Sequence, residues 1–292
     1  MLGRVSDNSG LSGGMNVRTI HISLIVVLML ICVRAGAQAP QPGQPQLTPA
    51  QTKQEAADWA AADIRIITPG VVNASGLPDL SAAYTKSTGK KVAIRVIGMG
   101  TIVDEINKMA PPADLIALPF QLMSDVSLAG GLVPGTFTPL GRTRMGLAVR
   151  AGAPHPDIST IEKLAVALRG AKAVMHSNPA SRTMVALLID DVLKRPELAG
   201  VHGVPTANGV EGGQALARGE GDMAIQTISQ ILPYKEIELV GPLPPELRAW
   251  LDLAFAVSTR AMHREDARSL MQYLLRPESN SVWKPRGLER FE

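Results

Sequence analysis

The chain has 292 residues, 46% hydrophobic, 19% charged and only 3% aromatic, with a formal net charge of +3. That is the make-up of a soluble globular protein with room for two modest cores. So few aromatics argue against a sugar site of stacked rings and against a single-strand nucleic-acid surface. Part of the positive charge belongs to residues 1–37, where Arg4, Arg18 and Arg34 face only Asp7. The remainder is near neutral, so no nucleic-acid partner is expected.

The N-terminus reads as a secretory leader. Arg18 precedes a short apolar run at 22–33 (ISLIVVLMLICV), and small residues follow at 35–37 (AGA). A basic flank, an apolar core and A-x-A spacing make a signal peptide, and the run is shorter than the ~18–20 residues of a membrane span. Cleavage is expected after Ala37, or after Ala39, with an uncleaved anchor as the alternative. Met15 is a possible true start. Cys32, the only cysteine, follows Ile31 rather than the small residue a lipoprotein signal needs. The mature chain then has no cysteine and no disulfide framework.

Residues 38–61 read as a Pro/Gln-rich linker and a short helix at 50–62 carrying Trp59. A βαβαβ series follows. Strands are expected at 64–68, 92–97 and 113–118, with helices at 77–87, closed by Gly89, and 101–109 between them. A further helix is expected at 121–129, ended by Gly130-Gly131. A second α/β series has strands at 145–149, 172–175, 222–226 and 237–240. Its helices are expected at 159–169, opened by the box Ser159-Thr160-Ile161-Glu162, at 182–194, capped by Ser181, at 210–217, and from 229. A last strand at 253–257 and a helix at 264–275 precede a tail that packs through Trp283 and Phe291. The simplest assembly returns this end to the first series. One lobe is then 62–142 plus 253–292, the other 145–250, with two crossings and a cleft between them.

In parallel sheets, ligands bind beyond the carboxyl ends of the strands. The first-lobe candidates are Thr68, Gly70, Val72 and Asn73 after the first strand, Gly100 and Thr101 after the second, and Pro119 after the third. The stretch 98–101 (GMGT) is an anion cradle or an ordinary tight turn. It is neither a dinucleotide fingerprint nor a Walker A loop. The second-lobe candidates are Ser177, Ser181 and Thr183 in 177–183 (SNPASRT), Val210 in 209–213 (GVEGG), and Thr227 beside Gln226. Each of these stretches is also readable as a cap, turn or solvated loop.

His155, His176, His202 and His263 have no partner at a metal spacing, so no metal or cofactor is expected. Ser87-Thr88-Gly89-Lys90 matches S-x-x-K without its companion motifs, and no G-x-S-x-G turn occurs. No acid, base or nucleophile set emerges, and the expectation is a binding protein rather than an enzyme.

The series IRIITPGVV, LPDLSAAYTKSTGKKV and GMGTIVDEINKMAPPADLIAL resembles the periplasmic molybdate-binding proteins of ABC transporters. So do MGLAVRAGAPHPDIST, NPASRT, GVEGGQALARGEGDMAI and VWKPRGLERF. The resemblance spans about residues 62–292. It implies an α/β, two-lobe type II periplasmic binding fold with a central ligand cleft and two crossover strands. It also implies capture of a tetrahedral oxyanion by hydroxyls and backbone N–H groups, delivery to an inner-membrane permease, and a monomer in the periplasm. The family's two serines fall at Val72 and Gly100, its backbone-donating valine at Val210 and its tyrosine at Thr227. Thr68, Asn73, Thr101 and Ser181 offer replacement polar groups. A small organic solute, or a sensing role without transport, is the alternative.

Overall fold

The computed structural model describes residues 48–207 and 209–291. The expected leader, with Met15 and Cys32, lies outside the described residues, as does most of the linker. Helix α1 (Pro49–Ala61) leads into β1 (Ile64–Thr68), α2 (Gly70–Ala74), α3 (Leu77–Thr88) and β2 (Val92–Val96). Next come α4 (Met99–Glu105), β3 (Leu115–Pro119), α5 (Phe120–Leu128) and the long β4 (Thr138–Arg150). The second series holds α6 (Ile161–Gly170), β5 (Val174–His176), α7 (Met184–Leu193), β6 (Gly203–Pro205) and α8 (Gly212–Ala217). It continues through β7 (Met223–Thr227), α9 (Ile228–Ile231) and β8 (Ile237–Pro242). The chain closes with β9 (Trp250–Val257), α10 (Arg264–Leu275), α11 (Asn280–Trp283) and β10 (Leu288–Arg290).

The strands run in the order β2-β1-β3-β9-β4-β7-β5-β6. Two parallel trios, β2-β1-β3 and β7-β5-β6, flank an antiparallel pair, β9 and β4. Strands β1 and β3 are buried along their whole length, which is why IRIIT and LIALP read as continuous runs rather than alternating ones. The edge strand β2 is half-buried under α1. There Trp59 is buried, its Nε1 donates to Pro111 O at 2.9 Å, and the Arg95 guanidinium lies 4.2 Å over its ring.

Several boundaries moved. The strand expected at 145–149 runs from Thr138, because its first half pairs with β9 on one side and β10 on the other. Pro139 and Gly141 disguise it as a loop, and the β9 register shifts between those two residues. Helix α4 starts two residues before the expected Thr101, since Met99, Ile102 and Ile106 form one buried stripe. Strands β6 and β10 were not anticipated; three-residue strands carry almost no periodic signal. Trp283 is buried as expected, while Phe291 lies 6.0 Å from Phe120.

Asp114, at the start of β3, ties the first lobe together. Its carboxylate accepts from the N–H groups of Arg65 (2.9 Å), Met262 (2.7 Å) and His263 (3.1 Å). It also faces the buried Arg65 guanidinium at 3.5 Å. That guanidinium donates onward to Trp59 O and Ala60 O. One buried carboxylate thus joins β1, β3, α1 and the start of α10. Removing one partner of a buried, hydrogen-bonded charge pair costs about 3–5 kcal/mol. Asp114→Ala should therefore lose about that much stability in urea unfolding; a loss below ~1 kcal/mol would contradict this role.

Candidate functional site

Between the two trios lies a cavity of about 150 Å³. From the first lobe come Pro69, Gly70 and Val71 after β1, and Ile97, Gly98 and Met99 after β2. From the second come Ser177, Asn178, Ser181, Thr183 and Val185 around the start of α7. Gly209, Val210 and Glu211 before α8, with Gln226 and Gln230, complete the wall. None of these lining residues is Arg, Lys or His. The cavity sits at the starts of α2, α4, α7 and α8. The first N–H groups of a helix have no partner within it and carry partial positive charge. Three of these helices are short, so the N–H groups themselves, more than a macrodipole, make the local field.

The turn at 177–183 is held by its own polar groups. Asn178 Oδ1 accepts from Ala180 N at 2.9 Å, and Ser181 Oγ donates to Asn178 O at 2.7 Å. Arg182 adopts a left-handed conformation (φ 52°), which ends a single 3₁₀ turn. The cap of α7 is therefore Thr183, whose Oγ1 accepts from Ala186 N, and not the expected Ser181. Ser181 Oγ and Thr183 Oγ1 lie 3.4 Å apart at the cavity.

A chain of side chains crosses the second-lobe floor. Ser177 Oγ donates to Gln226 Oε1 (3.4 Å), and Gln226 Nε2 to Gln230 Oε1 (3.3 Å). Thr227 Oγ1 donates to the same oxygen at 2.6 Å. With its oxygen so occupied, Gln230 directs Nε2 to Glu211 Oε1. Glu211 stands at the N-cap of α8 and is partly buried. Burial pushes its carboxyl from an ordinary 4.5 up to about 7, against hydrogen bonds from Gln226 and Gln230 that favour the charged form. Its place follows from Gly212: a Cβ there would lie 2.8 Å from Met175 O and 2.9 Å from His176 Cα. Only glycine lets α8 begin this close to β5. His176 is buried beside this contact, and burial lowers its pKa.

Of the residues expected at the site, the structure gathers Gly70, Ser177, Ser181, Thr183 and Val210 around the cavity. Thr68, Val72, Asn73, Gly100, Thr101, Pro119 and Thr227 are not among its lining residues. Thr68 is buried with its hydroxyl on Pro69 O, and Val72 is fully buried in the core. Gly100 is exposed in the first turn of α4. Val210 lines the wall but gives its N–H to Ala207 O at 3.0 Å. Thr227 acts through Gln230 rather than at the surface. The polar residues the sequence did not point to are Glu211, which looked like part of a glycine turn, and Gln230, which lay inside an expected helix. Of the apolar walls, Met99 lay inside the candidate turn 98–101 and Val185 read as an ordinary helix residue. Among the described residues no cluster of His, Cys, Asp or Glu forms a metal site, and no helix is long and apolar enough to cross a membrane.

Residues 64–289 match the family profile of bacterial extracellular solute-binding proteins. The chain belongs to that family. Among solved structures, the Azotobacter vinelandii periplasmic molybdate-binding protein has a TM-score of 0.64 at 18% identity, covering 79% of this chain and 100% of that one. PEB3 of Campylobacter jejuni, solved with L-phospholactate, has a TM-score of 0.58 at 18% identity, covering 78% of this chain and 100% of that one. Both likenesses show the type II periplasmic binding fold expected from the sequence. A Pseudomonas protein named aconitate isomerase is 28% identical over 217 residues, covering 72% of this chain and 82% of the relative.

The raised Glu211 carboxyl has a signature in stability. Between pH 4.5 and about 7 the unfolded chain has released this proton while the folded chain keeps it, so stability falls as pH rises across that window. Glu211→Gln should flatten that part of the melting-temperature profile. An unchanged slope would show that the carboxyl titrates at its ordinary value.

Proposed function

We propose that this family member captures a small organic acid with more than one carboxylate, in the periplasm, and delivers it to an ABC permease. The observation that carries this reading is the cavity lining: hydroxyls and helix-start N–H groups with no cationic side chain, apolar walls, and one carboxyl that can be neutral. Carboxylates of the ligand accept from the Thr183 hydroxyl, whose oxygen takes the Ala186 N–H and leaves its own proton to give, and from the N–H groups near Gly70 and Met99. The protonated form of Glu211 donates to one more. The carbon skeleton packs on Met99, Val185 and Val210, where a bare tetrahedral oxyanion would gain nothing. Aconitate, named for the Pseudomonas relative, is an acid of this class, and phospholactate, seen in PEB3, is a small organic acid with one carboxylate and one phosphate.

Binding across both trios holds the lobes together, which is the form a permease would meet. The leader expected at residues 1–37 supports export, and a monomer suffices for a site built within one chain. The second reading keeps a molybdate-like oxyanion as ligand. It is supported by the fold shared with the Azotobacter vinelandii molybdate-binding protein and by a site without counter-charges.

Thermal unfolding separates the two. A ligand at a hundredfold excess over its Kd stabilises the folded state by about 2.7 kcal/mol. Aconitate isomers should raise the melting temperature, and molybdate should not; the reverse pattern would replace this reading with the oxyanion. Val210→Asp, which sets a charge in the wall, should weaken capture by at least ~10-fold, about 1.4 kcal/mol, with the circular dichroism spectrum unchanged. Unaltered affinity would place the ligand elsewhere.

A further inference from the structure

We propose that the cavity is also a proton-transfer site, in which Glu211 shifts the double bond of a bound unsaturated polycarboxylate. This rests on the capture reading above and adds a reaction to it. Glu211 is the only Asp or Glu among the residues lining the cavity, and none of them is Arg, Lys or His. Among the described residues no salt bridge fixes it. Its Oε1 accepts from Gln230, whose own oxygen is filled by Gln226 and Thr227. The carboxyl is thus oriented by neutral amides, and it can hold or release a proton without breaking an ion pair. Burial brings its pKa to about 7, near the value at which one group serves as base and then as acid.

The sequence reading found no acid–base set because a single carboxylate, used twice, leaves no paired motif. A ligand with a CH₂ between a carboxylate and a C=C presents the complementary chemistry. The Glu211 carboxylate removes one proton from that CH₂. The C–H pair becomes the new C=C, and the old π pair moves onto the far carbon, its charge spread into the attached carboxylate. The carboxyl then returns the proton to that far carbon. The double bond has moved by one carbon and the proton by two. No atom or electron is gained or lost, and no co-reactant is used. The helix-start N–H groups and the Thr183 hydroxyl face the charge that develops on the substrate carboxylate. Because the new double bond can form in either geometry, the same step interconverts cis and trans acids.

The test uses the full mature chain in D₂O with the unsaturated tricarboxylate of the melting experiment. Proton NMR follows isomer ratio and deuterium uptake, while the saturated analogue, propane-1,2,3-tricarboxylate, reports binding alone. The wild-type protein should bind both acids, exchange the allylic and vinylic hydrogens of the first, and equilibrate its isomers. At saturating ligand, so that affinity drops out, Glu211→Gln should slow the exchange by about 10²–10⁴-fold. Glu211→Asp, which keeps a carboxylate, should recover part of the rate. Binding without exchange by the wild type, or wild-type exchange by Glu211→Gln, would overturn the reaction and leave capture standing. Failure to bind either acid would overturn both.

Discussion

Everything at the cleft depends on one strand that belongs to two sheets. The first half of β4 pairs with β9 and β10 and its second half with β7 and β8, so a single rigid segment carries both lobes. The contact is tight in the first half, between β4 and β10. At Gly141 a Cβ would come within 2.4 Å of Glu289 O. Across the β4–β9 ladder, Arg142 and Asp252 form a two-point ion pair at 2.6 and 2.9 Å, with the guanidinium 4.2 Å over Trp250. Paired, stacked charges of this kind set register more than they add stability. With that register held, the carboxyl ends of β1, β2, β5 and β7 open toward one cavity.

The site is an exercise in polar accounting. Each buried amide or hydroxyl near it has a partner, as buried polar groups must. Ser177, Gln226, Thr227 and Gln230 form a directed chain that ends on Glu211. No cation enters the lining, so the one carboxyl there meets burial without a compensating charge, and its proton affinity rises. The proposed capture of an organic acid and the proposed transfer of a proton would be two uses of the same arrangement. The link between the lobes is polar as well: Ser229 Oγ donates to Val71 O at 3.3 Å, joining α9 to α2 beneath the cavity.

Much of the fold was legible because its signals are local. Runs such as IRIIT and LIALP, stopped by proline or glycine, mark buried parallel strands. Gly89 closes α3 in a left-handed turn, at φ 75°. The Ile102 and Ile106 spacing marks one face of a helix. The site was legible by place more than by residue. The loops after β1, β2 and β5 do line the cavity, but Val72 and Gly100 turned into core and exposed helix, because residues 70–74, read as loop, form α2 and because α4 starts at Met99 rather than Thr101. At Thr183, a left-handed Arg182 moved the cap by two residues.

By itself, the sequence determined the element types, the alternation that yields parallel strands, the family and most of the loops that line the cavity. These follow from periodicity and turn chemistry, which act over a few residues. Only the tertiary structure decided that β4 joins both sheets, that β10 returns to it, and that Glu211 faces a cation-free cavity under Gln230. Those are contacts between segments far apart in the chain: Glu289 lies beside Gly141, and Gln230 reaches Glu211 only because α8 and α9 pack on the same strands. The proton affinity of a carboxyl is set by what surrounds it, and that is a property of the packed protein rather than of its neighbours in sequence.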